Sequence, residues 1–307
     1  MKVLFAGCGD IGVRAIRTLS DNSLYDHWQT LAMRRKPSAL PSDIDAIQGD
    51  LCDSENFLSI LDNSNVDVIV VTLTPDSMSD QGYLDSYVNG ANVLKSTIKK
   101  ISYRPQLIIW VSSTGVYGQS CGEWVDESSV ASSKSYRGKR LLESENLVKS
   151  SAKELVTNNS TLIKSGVVRF SGIYGPGRGS LVNQIKKGNI ASKHPVSWTN
   201  RIHVVDCAGI IIHIIDLYSQ KKDISNLYIG TDNQPVTAYE IQSWLANHMR
   251  VKIEENNEIP KNTDNKNVNR RCNNKLIKDS GYNFIFPDFK KGYTPLLLEN
   301  NATFKLP

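Results

Sequence analysis

What most constrains this chain is a rhythm of five short, unbroken apolar runs separated by segments of helical length. The runs are KVLFAG (2–7), QTLAMR (29–34), VDVIVVTLT (66–74), QLIIWVSS (106–113) and SGVVRFSG (165–172). Runs of Val, Ile and Leu without polar alternation read as strands buried on both faces, as in a parallel sheet. Stretches such as 12–19 and 83–100 between them suit crossover helices. Repeated βαβ units of this kind predict an α/β chain with a doubly wound parallel sheet and right-handed crossovers. Beyond about Phe170 the rhythm breaks. Gly/Pro-rich turns appear, then an apolar helix (206–218), then a polar, Asn-rich stretch (254–274) that reads equally as a linker or as a loop of a smaller domain.

Composition excludes several classes. A 307-residue chain that is 40% hydrophobic and 22% charged is neither disordered nor a coiled coil. The excess of 36 Lys+Arg over 31 Asp+Glu is mild. It hints at anionic partners without the basic, aromatic-interleaved surface of a nucleic-acid binder, and no nucleic-acid partner is expected. Cys8, Cys52, Cys121, Cys207 and Cys272 are scattered, with no C-x-x-C pair. They predict reduced thiols in a cytoplasmic protein, not a disulfide framework or zinc site. The five histidines lack metal-ligand spacing, so no metal is expected. The apolar start, Val3 to Ala6, is shorter than a signal core, and the run from Ala208 to Ile215 is too short to span a bilayer. No membrane partner is expected.

The first strand runs straight into Gly7-Cys8-Gly9-Asp10-Ile11-Gly12, which opens a helix. In this context Gly7 permits a tight turn, Gly9 lets backbone approach a pyrophosphate, and Gly12 lets helix pack on strand. The free N–H groups of the helix start, around Asp10 and Ile11, bind anions. The alternative is a merely structural glycine turn. Chains that prefer NAD end the second strand on Asp or Glu for the ribose hydroxyl. Here it ends in Met33-Arg34-Arg35-Lys36. Arg34 and Arg35 suit a 2′-phosphate through charge-assisted hydrogen bonds, which predicts NADP(H), with NAD as the alternative. Asp50, followed by Leu51 at the end of the third strand, is placed to meet the adenine edge.

Four further stretches occur in order: SSTGVYG (112–118), KSYRGKRLLESE (134–145), RFSGIYGPGR (169–178) and RIHVVDCA (201–208). Together with the glycine-rich loop they resemble the extended short-chain dehydrogenase/reductase superfamily, of the NAD-dependent epimerase/dehydratase type and its atypical branch. The resemblance runs from Met1 to about Gly292. It implies a Rossmann-type dinucleotide-binding domain over 1–170, with 201–220 returning to it. Residues 171–200 and 221–307 would form a smaller C-terminal substrate-binding domain.

By that resemblance Ser113, four residues before Tyr117, hydrogen-bonds the substrate oxygen, with Ser112 and Thr114 beside it. Lys139 holds the nicotinamide ribose and lowers a catalytic phenol's pKa. The family's Tyr-x-x-x-Lys pattern is altered here. Its Tyr position is filled by Ser135, and Tyr136 stands one residue later, sharing a helix face with Lys139. Tyr136 is therefore either a rebuilt acid/base or a surface residue without a catalytic role. Tyr87 stands where the family's helix carries Asn, a second change in the proton relay. Tyr117, Arg178 and Arg271 are the candidates for contacting substrate, the arginines for an anionic one such as a nucleotide-sugar diphosphate; Arg201 and Arg270 are further options. His203 is expected to be structural, and Asp206 to cap the helix that follows.

The expectation is an NADP(H)-dependent epimerase, dehydratase or reductase acting on a small molecule, with Ser113, Tyr136 and Lys139 as its chemical set. The alternative is a catalytically impaired NADP(H)-binding sensor or partner-binding protein. A homodimer through the helices of 83–100 and 136–155 is the assembly the resemblance suggests.

Overall fold

A computed structural model describes residues 1–154, 163–188, 190–252 and 269–299. The chain begins β1 (Lys2–Ala6), α1 (Asp10–Ser20), β2 (Gln29–Arg34), β3 (Ala46–Gln48), α2 (Ser54–Ser64), β4 (Val68–Val71), α3 (Asp80–Tyr83), α4 (Asn89–Lys100) and β5 (Leu107–Ser113). It continues β6 (Glu123–Val125), α5 (Tyr136–Glu154), β7 (Lys164–Phe170), β8 (Gly172–Tyr174), α6 (Ser180–Lys186), β9 (Trp198–Thr199), β10 (Arg201–His203) and α7 (Val204–Ser219). The last elements are β11 (Leu227–Gly230), β12 (Val236–Thr237), α8 (Ala238–His248), β13 (Arg270–Cys272), α9 (Lys275–Asp279) and α10 (Phe289–Glu299). Most of the Asn-rich stretch lies outside the described residues.

A seven-stranded sheet of order β11-β7-β5-β4-β1-β2-β3 forms the centre. The pairs β3–β2, β2–β1, β1–β4 and β4–β5 all run parallel. All five apolar runs supply strands to it. Leu4 pairs with Leu31 on one side and Ile69 on the other. Leu4, Ile69, Phe57, Trp110 and Val167 are fully buried, as a sheet covered on both faces requires. Strand order reverses between β1 and β4, so the crevice at their C-terminal ends is the ligand position in this architecture.

The chain divides into two compact units. The first comprises 1–116, 131–169 and 208–228; the second comprises 117–130, 170–207 and 229–307. Residues 117–130 and 201–207 thus fall in the second unit, whereas the linear reading placed them in the first. The second unit has its own core, which includes Tyr174, Ile185, Ile241, Leu245, Phe289 and Tyr293.

Asp206 does not cap α7 as expected. It is the third residue of that helix, and its carboxylate turns to the 282–286 segment instead. It accepts from the Tyr282 hydroxyl at 2.8 Å and from the backbone N–H groups of Ile285 (2.8 Å) and Phe286 (2.9 Å). Among the described residues no helix is long and apolar enough to cross a membrane.

Candidate functional site

In the first unit, the turn after β1 separates its three glycines by what they do. Gly7 has φ +71, a left-handed conformation that L side chains resist, and a Cβ there would lie 2.9 Å from Leu73 Cδ2. At Gly12 a Cβ would lie 2.7 Å from Cys8 Sγ. Gly9 differs: its backbone is extended (φ −121), and an added Cβ would meet only Gly7 O, at 4.0 Å. Two of the glycines serve the fold, and Gly9 leaves space above the turn.

Gly9 is also the N-cap of α1, and no side chain caps the helix. The first N–H groups of a helix have no partner inside it, and a helix start without a side-chain cap is a place where an anion can bind. The Asp10 carboxylate pairs with Arg14 at 2.7 Å along the helix. The turn is held from both sides. Cys8 N–H bonds Met33 O at 3.0 Å, and the Thr72 hydroxyl bonds Gly7 O at 3.1 Å. Burial pushes the Cys8 thiol up to about 11 against the pull of the nearby Arg34 charge.

Arg34 ends β2, and its carbonyl accepts Gly49 N–H at 3.1 Å. The Arg35 guanidinium forks onto Asp76, with Nη1 at 2.6 Å from Oδ2 and Nη2 at 2.5 Å from Oδ1. The Asp50 carboxylate accepts Cys52 N–H at 2.9 Å, closing a turn, while Leu51 is buried in the core.

At the C-terminal end of β5, Ser112 and Ser113 have different partners. Ser112 donates to Glu145 Oε1 at 2.6 Å, and Arg169 grips the same carboxylate with Nε at 2.9 Å and Nη2 at 2.6 Å. Glu145 and Arg169 are 0% and 3% exposed, so this is a buried ion pair tying α5 to β5 and β7. Ser113 Oγ accepts Gly115 N–H at 3.1 Å, which leaves its own proton to donate. The start of α5 packs closely on the 114–116 turn: a Cβ on Gly138 would sit 2.6 Å from Gly115 O. That close approach puts the Ser113 turn beside the helix that carries Tyr136 and Lys139.

Lys139 is exposed. Tyr136 points elsewhere than Ser113. Its hydroxyl donates to Met78 O and accepts from Arg137 Nε, and its ring meets Tyr83 edge-on with centroids 5.8 Å apart. Tyr87, in a π-helical turn (Leu84–Val88), donates to Leu73 O at 3.1 Å. Such single π turns frequently occur at functional sites. Burial pushes the Tyr87 phenol well above its ordinary value.

Sequence reasoning missed the segment these tyrosines hold. Arg140 forks onto Asp80 (2.8 and 3.1 Å), and Ser79 Oγ caps α3 by accepting Gly82 N–H at 3.1 Å. Asp76 and Met78, on the loop after β4, and Asp80, which opens α3, are thus bound to Arg35, Tyr136 and Arg140. A polar turn such as TPDSMSD carries no local signal for such distant partners.

In the second unit, the YGPGR turn has Gly175 at φ +140, where a Cβ would lie 2.7 Å from Val204 Cγ1. Arg178 N–H closes this turn onto Gly175 O at 3.1 Å. Tyr117 is fully buried and its hydroxyl donates to Asp126 O at 2.8 Å, a packing role. Arg271 lies between the rings of Trp124 and Trp198, 4.9 Å from each centroid, with Nε on Gly122 O at 2.9 Å. His203 is 3% exposed, packed against Tyr174 and Phe286.

Asp232, 2% exposed, has its carboxyl pushed up to about 8 by burial. The Gln234 N–H and the Arg201 charge oppose that shift, and the Asp288 and Asp206 charges add to it. The raised acid contributes stability that is fully present below its unfolded pKa of about 4 and lost as pH rises toward 8. Asp232→Asn keeps an acceptor for Gln234 N–H and cannot ionise. The thermal midpoint of the parent should therefore fall relative to the variant by roughly 5 °C between pH 5 and pH 8. A constant difference across that range would show that Asp232 ionises normally.

Comparison with known proteins agrees with this fold. The model of the 3-beta hydroxysteroid dehydrogenase/isomerase family matches residues 3–258. A candidate NAD-dependent epimerase/dehydratase from Methylobacillus flagellatus is 30% identical, with a TM-score of 0.76 over 98% of this chain and 99% of that one. Two more distant structures share the fold at 15% identity, over 99% of this chain and all of theirs. They are the UDP-glucose 4-epimerase of Thermotoga maritima with UDP-glucose (TM-score 0.79) and that of Thermus thermophilus in complex with NAD (TM-score 0.77). No curated protein sequence matches at a significant level.

Proposed function

The chain belongs to the 3-beta hydroxysteroid dehydrogenase/isomerase family, and from that premise we propose that it is an NADP(H)-dependent epimerase, dehydratase or reductase. Its substrate would be a sugar-nucleotide or another carbonyl/hydroxyl compound. The observation that carries this reading is the uncapped start of α1 over a turn whose middle glycine, Gly9, faces open space. That arrangement fits a dinucleotide pyrophosphate.

The N–H groups from Gly9 to Gly12 would hold the pyrophosphate, and Asp50 would meet the adenine edge. Arg34 and Arg35, where NAD-preferring chains carry an acid, would hold a 2′-phosphate. Lys139 would hold the nicotinamide ribose. When bound, the nicotinamide supplies reversible two-electron chemistry. Ser113 donates its free proton in a hydrogen bond to the reacting oxygen of the substrate. On the second unit, Arg178 and the Nη groups of Arg271 are the parts that suit an anionic substrate. The scattered cysteines, with no C-x-x-C pair, suit a reducing, cytoplasmic compartment.

One observation favours the second reading, a cofactor sensor without chemistry: the Tyr136 hydroxyl is bonded to Met78 O. Fluorescence titration with NADPH and NADH, followed by turnover on a carbonyl and sugar-nucleotide panel, tests both readings. The enzyme reading expects tighter NADPH binding and turnover that Tyr136→Phe lowers at unchanged cofactor affinity. Tight NADPH binding with no turnover would leave the sensor. Equal affinity for the two cofactors would remove the NADP(H) preference.

A further inference from the structure

Strand β1 lies between β2 and β4. Neighbouring strands sit about 4.8 Å apart, so the ends of β2 and β4 are separated by roughly 10 Å. Arg35 follows β2, and Asp76 belongs to the segment after β4. Their forked ion pair therefore crosses the C-terminal edge of β1, where the turn with Gly7 and Gly9 begins. Both terminal nitrogens of Arg35 are committed to one carboxylate.

Asp76 cannot simply swing away. Two residues on, Met78 O is bound by the Tyr136 hydroxyl; four residues on, Asp80 is forked by Arg140. Ser77 and Ser79 are hydrogen-bonded to each other at 2.8 Å within the same segment. The charged and titratable groups acting on Arg35 are Asp76, Asp50 and Cys52. Of these only Asp76 makes a hydrogen bond to it, and the Arg35 guanidinium in turn holds the Asp76 carboxyl below the usual range. The side chains are 57% and 67% exposed. An exposed pair of this kind is weak enough for a doubly charged phosphate to take the guanidinium.

We infer that Asp76 is a specificity-determining residue, a carboxylate that competes with the cofactor's 2′-phosphate for Arg35. The inference rests on the cofactor reading above. Asp76 weakens binding of the phosphorylated nucleotide in two ways: it occupies the fork, and it repels the dianion that displaces it. A nucleotide with a free 2′-hydroxyl does not contest Arg35 and is indifferent to Asp76. The preference for a 2′-phosphate is therefore held below what Arg34 and Arg35 alone would give.

Calorimetric titration of the full chain with 2′,5′-ADP and with 5′-AMP tests this without catalysis. Asp76→Asn keeps the shape of the side chain, and Asp76→Ala serves as a second variant; thermal melts report whether each folds. The expected result is that 2′,5′-ADP binds either variant about three- to tenfold tighter, with 5′-AMP unchanged. In an Arg35→Ala background the Asp76 effect should shrink to the repulsion alone, and 2′,5′-ADP should lose most of its advantage over 5′-AMP. Unchanged 2′,5′-ADP affinity on losing Asp76, with Arg35→Ala still weakening it, would overturn the inference and leave the cofactor reading intact. Weaker 5′-AMP binding on losing Asp76 would also overturn it, by showing that the carboxylate holds a ribose hydroxyl. If Arg35→Ala does not affect 2′,5′-ADP, the 2′-phosphate reading itself fails and the inference with it.

Discussion

Replacing Glu145 by alanine should destabilise the protein by about 3–5 kcal/mol, because it strands a buried guanidinium. Arg169 is 3% exposed, and its two nitrogens at 2.9 and 2.6 Å have the Glu145 carboxylate as their partner. Ser112 would lose its acceptor at 2.6 Å in the same change. A buried pair is expensive to assemble and more expensive to break from one side, since the remaining charge keeps its desolvation cost without the compensating attraction. Denaturant unfolding of Glu145→Ala measures the loss. A paired change, Glu145→Leu with Arg169→Met, should recover most of it, because no fully buried charge is left unmatched; Lys149, 3.8 Å from Glu145, is partly exposed. A loss under about 1 kcal/mol for Glu145→Ala would mean that water reaches the site. The consequence reaches function, because Glu145 ties α5 to β7 through Arg169 and to β5 through Ser112. It therefore helps fix the spacing between Ser113 and the start of the helix that carries Lys139.

Gly9→Val should do the opposite, weakening cofactor binding sharply while leaving the fold intact. Its extended backbone accepts a β-branched residue, and a Cβ there touches only Gly7 O at 4.0 Å. The valine methyls would instead fill the space where the pyrophosphate must approach the helix start. NADPH affinity should fall by about a hundredfold, roughly 2.7 kcal/mol, with a thermal midpoint close to that of the parent. Tight binding by a folded Gly9→Val protein would place the nucleotide elsewhere. Gly7 and Gly12 do not allow this separation, because a side chain at either collides with Leu73 or Cys8 and disturbs the fold.

Much of the sheet was legible because parallel strands buried on both faces leave uninterrupted apolar runs. β1, β2, β4 and β5 each fall within such a run, and β7 starts one residue before its own. The seventh strand, β11, was not read, because four residues (Leu227–Gly230) are too few to distinguish from a buried loop. The excursion of residues 117–130 into the second unit escaped for a related reason. Residues 117–130 pass into the second unit without any change in composition, and the strands there are two or three residues long.

Within the site, the glycine turn was readable because its chemistry is local to six consecutive residues. The destinations of Arg35, Tyr136 and Asp206 were not readable. Each depends on a partner 41, 58 or 76 or more positions away, brought close only by the finished fold. Tyr136 shows the limit most clearly. Helical spacing placed it on one face with Lys139, but it could not reveal that a backbone carbonyl at Met78 would claim its hydroxyl.

The division of labour among the three glycines also bears on how such proteins drift. Gly7 and Gly12 are held in place by the need to fold, whereas nothing packed around Gly9 requires a glycine there. A descendant that abandoned its cofactor but kept its architecture would retain the first and third glycines and be free to lose the second. Among sequences of this kind, a side chain at the middle position would then mark a lineage that has left redox chemistry for some other use of the same scaffold.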